Sequence, residues 1–236
     1  NVPDGFIITS HAYFDFIKEN KLDLKIKHLL NTANFENPDS LNQISEHIKH
    51  EILSCDFSPA LISEILGSYK KLGGVLSDAL VAVRSSATAE DLPSASFAGQ
   101  QETFLNVRGE ANLIQKVREG YASLFSARAI FYRHENHFDH FKVGIAIPVQ
   151  KMVQSDTSGV MFTIDPLTNN KKKIIIEAIY GLGELIVGGK ITPDHYEVSK
   201  EDLKIEEKTI SKQDYALKKV GTKDKMVKVS RISQNK

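Results

Sequence analysis

VAVRSSATAEDLPSASFAGQQETFLNV, residues Val81 to Val107, decides how the rest of the chain is read. An apolar run, Leu80-Val81-Ala82-Val83, ends in Arg84, and a second β-prone run, Thr103-Phe104-Leu105-Asn106-Val107, closes the stretch. Between them lies a loop of Ser, Ala, Thr and Gly with little that is bulky except Leu92 and Phe97. The pattern is strand, loop, strand. Small residues let backbone N–H groups approach an anion closely, and Ser and Thr hydroxyls add donors. An arginine at the end of the first strand supplies a planar, permanently charged fork suited to phosphate. On chemistry alone this is a candidate polyphosphate cradle. It matches neither strict phosphate pattern, G-x-x-x-x-G-K-[ST] or G-x-G-x-x-G, so composition by itself identifies no ligand.

The chain of 236 residues can form one large domain or two modest ones, and its usage is ordinary for a globular protein, 25% charged and 41% hydrophobic. Lys+Arg and Asp+Glu both number 30, so no global field attracts nucleic acid or an anionic membrane. The single Cys55 excludes an internal disulfide and suits a reducing, cytoplasmic setting. No apolar run reaches the length of a membrane span. Both termini read as cut, so a longer polypeptide is expected.

Outward from the central stretch, residues 5–9 read as a short strand and residues 10–73 as mostly helical. Steps of three and four place Leu41, Ile44, Ile48 and Ile52 on one stripe, with Asn37 as a cap before it. After the second strand the pattern predicts one long helix over 111–135, with stripe Ile114, Val117, Tyr121, Leu124 and Arg128. An arginine on an apolar face needs partners, either a structural ion pair or a role at the phosphate loop. His134, His137 and His140 fall at three-residue steps, but without Cys and at a helix end they read as a solvated terminus rather than a metal site. Strands are expected over 144–153, 160–164, 174–179 and 195–199, with a short helix after Gly181-Leu182-Gly183-Glu184. Lys171-Lys172-Lys173 reads as a solvated loop.

VRSSATAEDLPSASFAGQQETFLNV closely resembles the N-terminal ATP-binding segment of the phosphoenolpyruvate synthase / pyruvate phosphate dikinase family, and rifamycin phosphotransferases share much of it. The likeness runs on through Arg128-Ala129, Tyr132-Arg133, Val149 to Val153, Ser158 to Asp165, Gly181 to Glu184 and Pro193-Asp194. It implies an α+β, ATP-grasp-like fold of two lobes. Residues 1–149 would form the N-terminal lobe, with a helical insertion at about 10–73, and 150–236 part of a sheet-rich second lobe. It also implies site residues. Arg84 is similar in place to the family's phosphate-binding arginine, which gives it the catalytic assignment. Gly99 and Thr103 match the family positions whose backbone and hydroxyl meet the polyphosphate. Ser85 either assists there or begins the turn, and Arg128 either makes a structural ion pair or helps hold the phosphate loop or the triphosphate. Gln150 corresponds to an adenine contact, with Met152 packing on the ring and the backbone of 151–153 completing it. Without the resemblance Arg84 is equally a strand-end residue in an ion pair, Gly99 a turn glycine, Thr103 a strand former and Gln150 an exposed polar residue.

In that family ATP, with Mg²⁺, phosphorylates a histidine on a separate swivelling domain of the same polypeptide. AMP and phosphate leave, and the histidine passes its phosphoryl group to a final acceptor. The synthase branch, which makes phosphoenolpyruvate from pyruvate, is the nearer match. A rifamycin phosphotransferase or another dikinase, or a non-catalytic module that kept the fold, are the alternatives. Asp165 and Glu184 are weaker candidates to reach a metal. The family's glycine-turn lysine and its acidic metal ligands have no counterpart in these residues, so the chain by itself is expected to be inactive.

Overall fold

The structure, a computed structural model, describes residues 1–73, 78–88, 91–92, 95–96, 102–221 and 223–229. It divides into two units, Asn1–Met152 and Val153–Lys236. The first contains β1 (Gly5–Ile8), α1 (Ser10–Glu19), α2 (Leu22–Asn31), α3 (Pro38–Leu53) and α4 (Pro59–Gly73), then β2 (Val81–Arg84) and β3 (Ser86–Ala87). Next come β4 (Asp91–Leu92), β5 (Ala95–Ser96), β6 (Thr103–Val107), α5 (Glu110–Ser123), α6 (Ala127–Glu135) and β7 (Ile145–Lys151). The second contains β8 (Thr157–Phe162), β9 (Lys173–Tyr180), α7 (Glu184–Val187), β10 (Asp194–Ser199), β11 (Ile205–Thr209), β12 (Tyr215–Val220) and β13 (Lys223–Lys228). The fold is α+β, and every pair of named strands is antiparallel. Among the described residues no helix is long and apolar enough to cross a membrane.

In the first unit the sheet order is β1-β7-β2-β6, with β3 also paired to β7. The four helices inserted between β1 and β2 occupy the stretch expected to be helical. Asn37 caps α3, its side-chain oxygen accepting from the Asp39 N–H at 2.9 Å and the Ser40 N–H at 3.3 Å. Leu41, Ile44, Ile48 and Ile52 are buried, as their spacing requires. Side chains alternate across a strand, so Ile8, Val81, Val83, Ile145, Ile147 and Val149 all turn to one face and are buried. α5 covers that face so closely that a Cβ on Gly120 would lie 2.7 Å from Ile147 Cδ1. β6 bulges between its pairings to Val81 and Val83. Asn106, at φ 52°, supplies the left-handed residue there.

The predicted single helix over 111–135 is two helices. The chain breaks at Leu124-Phe125-Ser126, and the Ser126 hydroxyl accepts from the Ala129 N–H at 3.2 Å as a new N-cap. The break resets the helical phase. Arg128 therefore turns outward and is exposed, and Arg133 is the arginine that is fully buried. Its Nε donates to His140 Nδ1 at 2.9 Å, and its guanidinium lies 5.3 Å from the centre of the Phe125 ring. Burial holds Arg133 down to about 10. Burial first, then the charge of Arg133, pushes His140 from 6.5 down to about 4, with His134 adding to the fall and Asp139 opposing it.

That contact carries a sign. His140 must keep Nδ1 bare to accept, so the folded chain binds fewer protons than the unfolded chain between pH 6.5 and about 4. Stability should fall as pH drops through that window. In His140→Asn the amide oxygen can accept the same bond without titrating, so the melting temperature should fall less steeply over that range. Equal slopes in wild type and variant would remove His140 as the cause.

In the second unit the sheet order is β11-β10-β9-β8, and β12 and β13 form a hairpin. Gly181 forms an isolated bridge to Leu217 on β12. Ile175, Ile179, Leu182, Leu185, Ala216 and Leu217 are its buried apolar residues.

Candidate functional site

The strand register settles which site residues share a face. Arg84 pairs with Thr103 across β2 and β6, and Ala82 pairs with Gln150 across β2 and β7. Directly paired residues of an antiparallel sheet project to the same side, as do residues two apart on one strand. Arg84, Thr103, Ala82 and Gln150 therefore all project away from the α5-covered face. Arg84 and Thr103 are exposed, and Gln150 is half-buried. Arg84 sits two residues beyond the Ala82–Gln150 pair, roughly 7 Å along the strand. A charged fork and an amide thus stand on the same side of the sheet, with Ala82 buried beside them.

β1 adds to this surface. Gly5 pairs with Gln150 and Ile7 with Pro148, so Ile7 also points outward, and it is 63% exposed. A Cβ at Gly5 would lie 2.6 Å from the Val149 carbonyl oxygen, which keeps β1 tight against β7. The sequence reading missed Ile7. Its signal was available: in the alternation of Phe6, Ile7 and Ile8, an isoleucine occupies the outward position.

The side chain of Gln150 is already oriented. Its Nε2 donates to the Pro3 carbonyl at 3.0 Å, which orients the amide and leaves Oε1 as its acceptor. Two of the backbone donors expected to meet a ligand are spent elsewhere. The Lys151 N–H donates to Asp4 O at 2.8 Å and the Met152 N–H to Leu80 O at 2.9 Å, so both extend the ladder. Met152 is half-buried and continues the side of Gln150 by alternation.

Ser85 is committed to the base of the loop. Its N–H and its hydroxyl both donate to Glu102 O, at 3.0 and 3.1 Å, and the Glu102 N–H donates to Ser85 Oγ at 2.9 Å. Gly99 lies outside the described residues. Arg128 is not brought to Arg84 by any contact; it is exposed on α6, which packs against α3 in the helical layer. The expectation that it lies on an apolar face is corrected by the helix break at 124–126.

Asp165 and Glu184 belong to the second unit. The Asp165 carboxylate accepts from the Thr168 hydroxyl and from the Leu167 and Thr168 N–H groups, closing its own turn. The Thr168 hydroxyl bond, followed by the Leu167 N–H, holds its pKa below the ordinary value. Glu184 opens α7 and lies 3.9 Å from Lys190 Nζ. His195 lies 3.7 Å from Glu197, but among the described residues no three His, Cys, Asp or Glu side chains converge to hold a metal ion.

Comparison with known proteins gives this geometry a context. All of residues 1–236 match the family described as pyruvate phosphate dikinase, AMP/ATP-binding domain. The chain is 50% identical over 219 residues to the phosphoenolpyruvate synthase of Aeropyrum pernix, covering 92% of this chain and 27% of that protein. It is 45% identical over 240 residues to that of Aquifex aeolicus, covering 98% of this chain and 28% of the relative. The phosphoenolpyruvate synthase of Pyrococcus furiosus is 42% identical over 247 residues, 90% of this chain and 30% of the relative. The chain thus spans less than a third of the length of each of these relatives. With a match that runs from its first residue to its last, this chain belongs to the pyruvate phosphate dikinase AMP/ATP-binding domain family.

Proposed function

We propose that this chain is the ATP-binding part of a longer, cytoplasmic phosphotransferase that phosphorylates a histidine on a swivelling domain. Its overall reaction takes pyruvate, ATP and water to phosphoenolpyruvate, AMP and phosphate. The observation that carries the reading is the shared open face of Arg84, Thr103 and Gln150. Arg84 offers a bidentate fork to the polyphosphate, and the Thr103 hydroxyl donates beside it. Gln150 Oε1 accepts from the adenine amino group, while the exposed Ile7 side chain and Met152 pack on the ring. Gly99 would bring its backbone to the phosphates.

In this arrangement the protein's contribution is positional and electrostatic. A fixed guanidinium stabilises charge on the transferring phosphoryl without reorganising. Among the described residues no three His, Cys, Asp or Glu side chains converge; Mg²⁺, which sits on substrate phosphates with one or two carboxylates, would neutralise charge on the polyphosphate. The names of the relatives support pyruvate as final acceptor over the rifamycin alternative.

The test is product analysis on the full-length protein. Incubation with ATP and pyruvate should yield phosphoenolpyruvate and AMP in equal amounts. ADP as the sole nucleotide product, or no pyruvate-dependent turnover, would exclude this reaction.

A further inference from the structure

The backbone that follows Arg84 is held by two hydroxyl bridges of the same design. At Ser85, the N–H and Oγ both donate to Glu102 O, at 3.0 and 3.1 Å, and the Glu102 N–H returns to Oγ at 2.9 Å. At Thr88, the N–H and Oγ1 both donate to Gly144 O, at 2.9 and 3.4 Å, and the Gly144 N–H returns to Oγ1 at 3.0 Å. A hydrogen-bonded pair in a regular antiparallel ladder exchanges two backbone bonds. Here a side-chain oxygen takes the place of one backbone carbonyl at both positions.

Between the two bridges the chain leaves one of its two partner strands. Arg84 is paired to Thr103 on β6, while along its other edge the chain stays on β7 in one register, Val83 with Val149, then Ser86 with Ala146 and Ala87 with Ile145. β6 is left within two residues of Arg84, where the Ser85 bridge ends that ladder. A hydroxyl suits the end of a ladder because one short side chain both donates and accepts.

We propose that Ser85 and Thr88 are positioning residues for Arg84. Their hydroxyls lock the backbone on its C-terminal side, so that the guanidinium stays over the Thr103–Gln150 face where it meets the phosphates. The inference rests on the reading of Arg84 as the phosphate contact. The Ser85 bridge is exposed, so water can replace a lost hydroxyl there. Its removal therefore loosens direction more than it lowers stability. The effect falls on the phosphate end of the nucleotide and leaves the Gln150 end unchanged.

The experiment compares equilibrium binding of ATP and of adenosine to the full-length protein, as wild type and as Ser85→Ala, Ser85→Thr, Thr88→Val and Arg84→Ala. Ser85→Ala is expected to weaken ATP about tenfold while adenosine changes by less than about twofold, since a displaced contact costs affinity only where it acts. Ser85→Thr restores the hydroxyl and should recover ATP binding, and Thr88→Val should weaken ATP in the same selective way. If Ser85→Ala does not fold, Thr88→Val carries the test with the same readout. Wild-type ATP affinity in both hydroxyl variants, with Arg84→Ala impaired, overturns the positioning role. Equal loss of ATP and adenosine also overturns it, because a general folding defect would do that. Arg84→Ala binding ATP like wild type overturns the underlying assignment of Arg84 instead.

Discussion

Arg84→Ala in the full-length protein is expected to weaken ATP binding about 100-fold, the loss of a bidentate charge-assisted contact worth roughly 2–3 kcal/mol. The size of the effect follows from placement. Arg84 is exposed at the end of β2 and shares its face with Thr103 and Gln150. The guanidinium supports no core packing, so the variant should fold normally and lose only the ligand. Arg84→Lys keeps the charge but not the planar fork and should recover part of the affinity. Gln150→Ala should act differently, weakening adenosine and ATP by a similar factor, because in the proposed arrangement its amide meets the base. Isothermal titration of the four proteins decides the matter. An Arg84→Ala titration that overlays wild type would remove the arginine from the site.

The largest expected loss of stability is at Gly181. Its φ is +81°, a conformation that costs a side-chain-bearing residue about 1 kcal/mol. A Cβ there would also press on the Leu217 carbonyl oxygen and lie 3.1 Å from Ala216 Cβ. The backbone has little freedom to yield. The Gly181 N–H donates to Asp156 O at 2.7 Å, and the Leu182 N–H donates to Leu217 O at 2.9 Å. The Gly181 carbonyl accepts from the Ser155 and Ser158 hydroxyls at 3.2 and 2.6 Å. Relief of the clash must therefore displace β12, which carries the buried Ala216 and Leu217. Gly181→Ala should cost about 3–4 kcal/mol, combining strain with overpacking. Gly221→Ala is the matched control: φ is +65°, and nothing lies within 4 Å of its added Cβ, so only the strain of about 1 kcal/mol applies. Thermal unfolding and hydrogen exchange within residues 153–229 measure the difference. Equal losses in the two variants would show that the Leu217 contact relaxes freely.

Much of the first unit was legible because its signals are local. The Asn37 cap, the α3 stripe and the strand runs around Arg84 and Gln150 each depend on a few neighbouring residues whose chemistry has one good solution. The long helix was misread for an equally local reason. Its apolar positions keep the correct spacing up to Leu124, but the Ser126 cap restarts the phase, and periodicity counted through a cap carries Arg128 to the wrong side. The same error concealed Arg133, which meets His140 in the loop just after its helix and the Phe125 ring at the helix break.

By itself the sequence determined the α+β class, the helical insertion, the family and the residue types able to grip a nucleotide. Those follow from short-range periodicity and from a motif string, both of which survive without knowledge of contacts. Only the tertiary structure decided that Arg84, Thr103 and Gln150 share one open face, and that Ser85 is bound to Glu102 at the base of the loop. A strand's side chains can turn to either side until its register is set, and that register comes from pairing β2 with β7, where Ala82 meets Gln150, far along the chain.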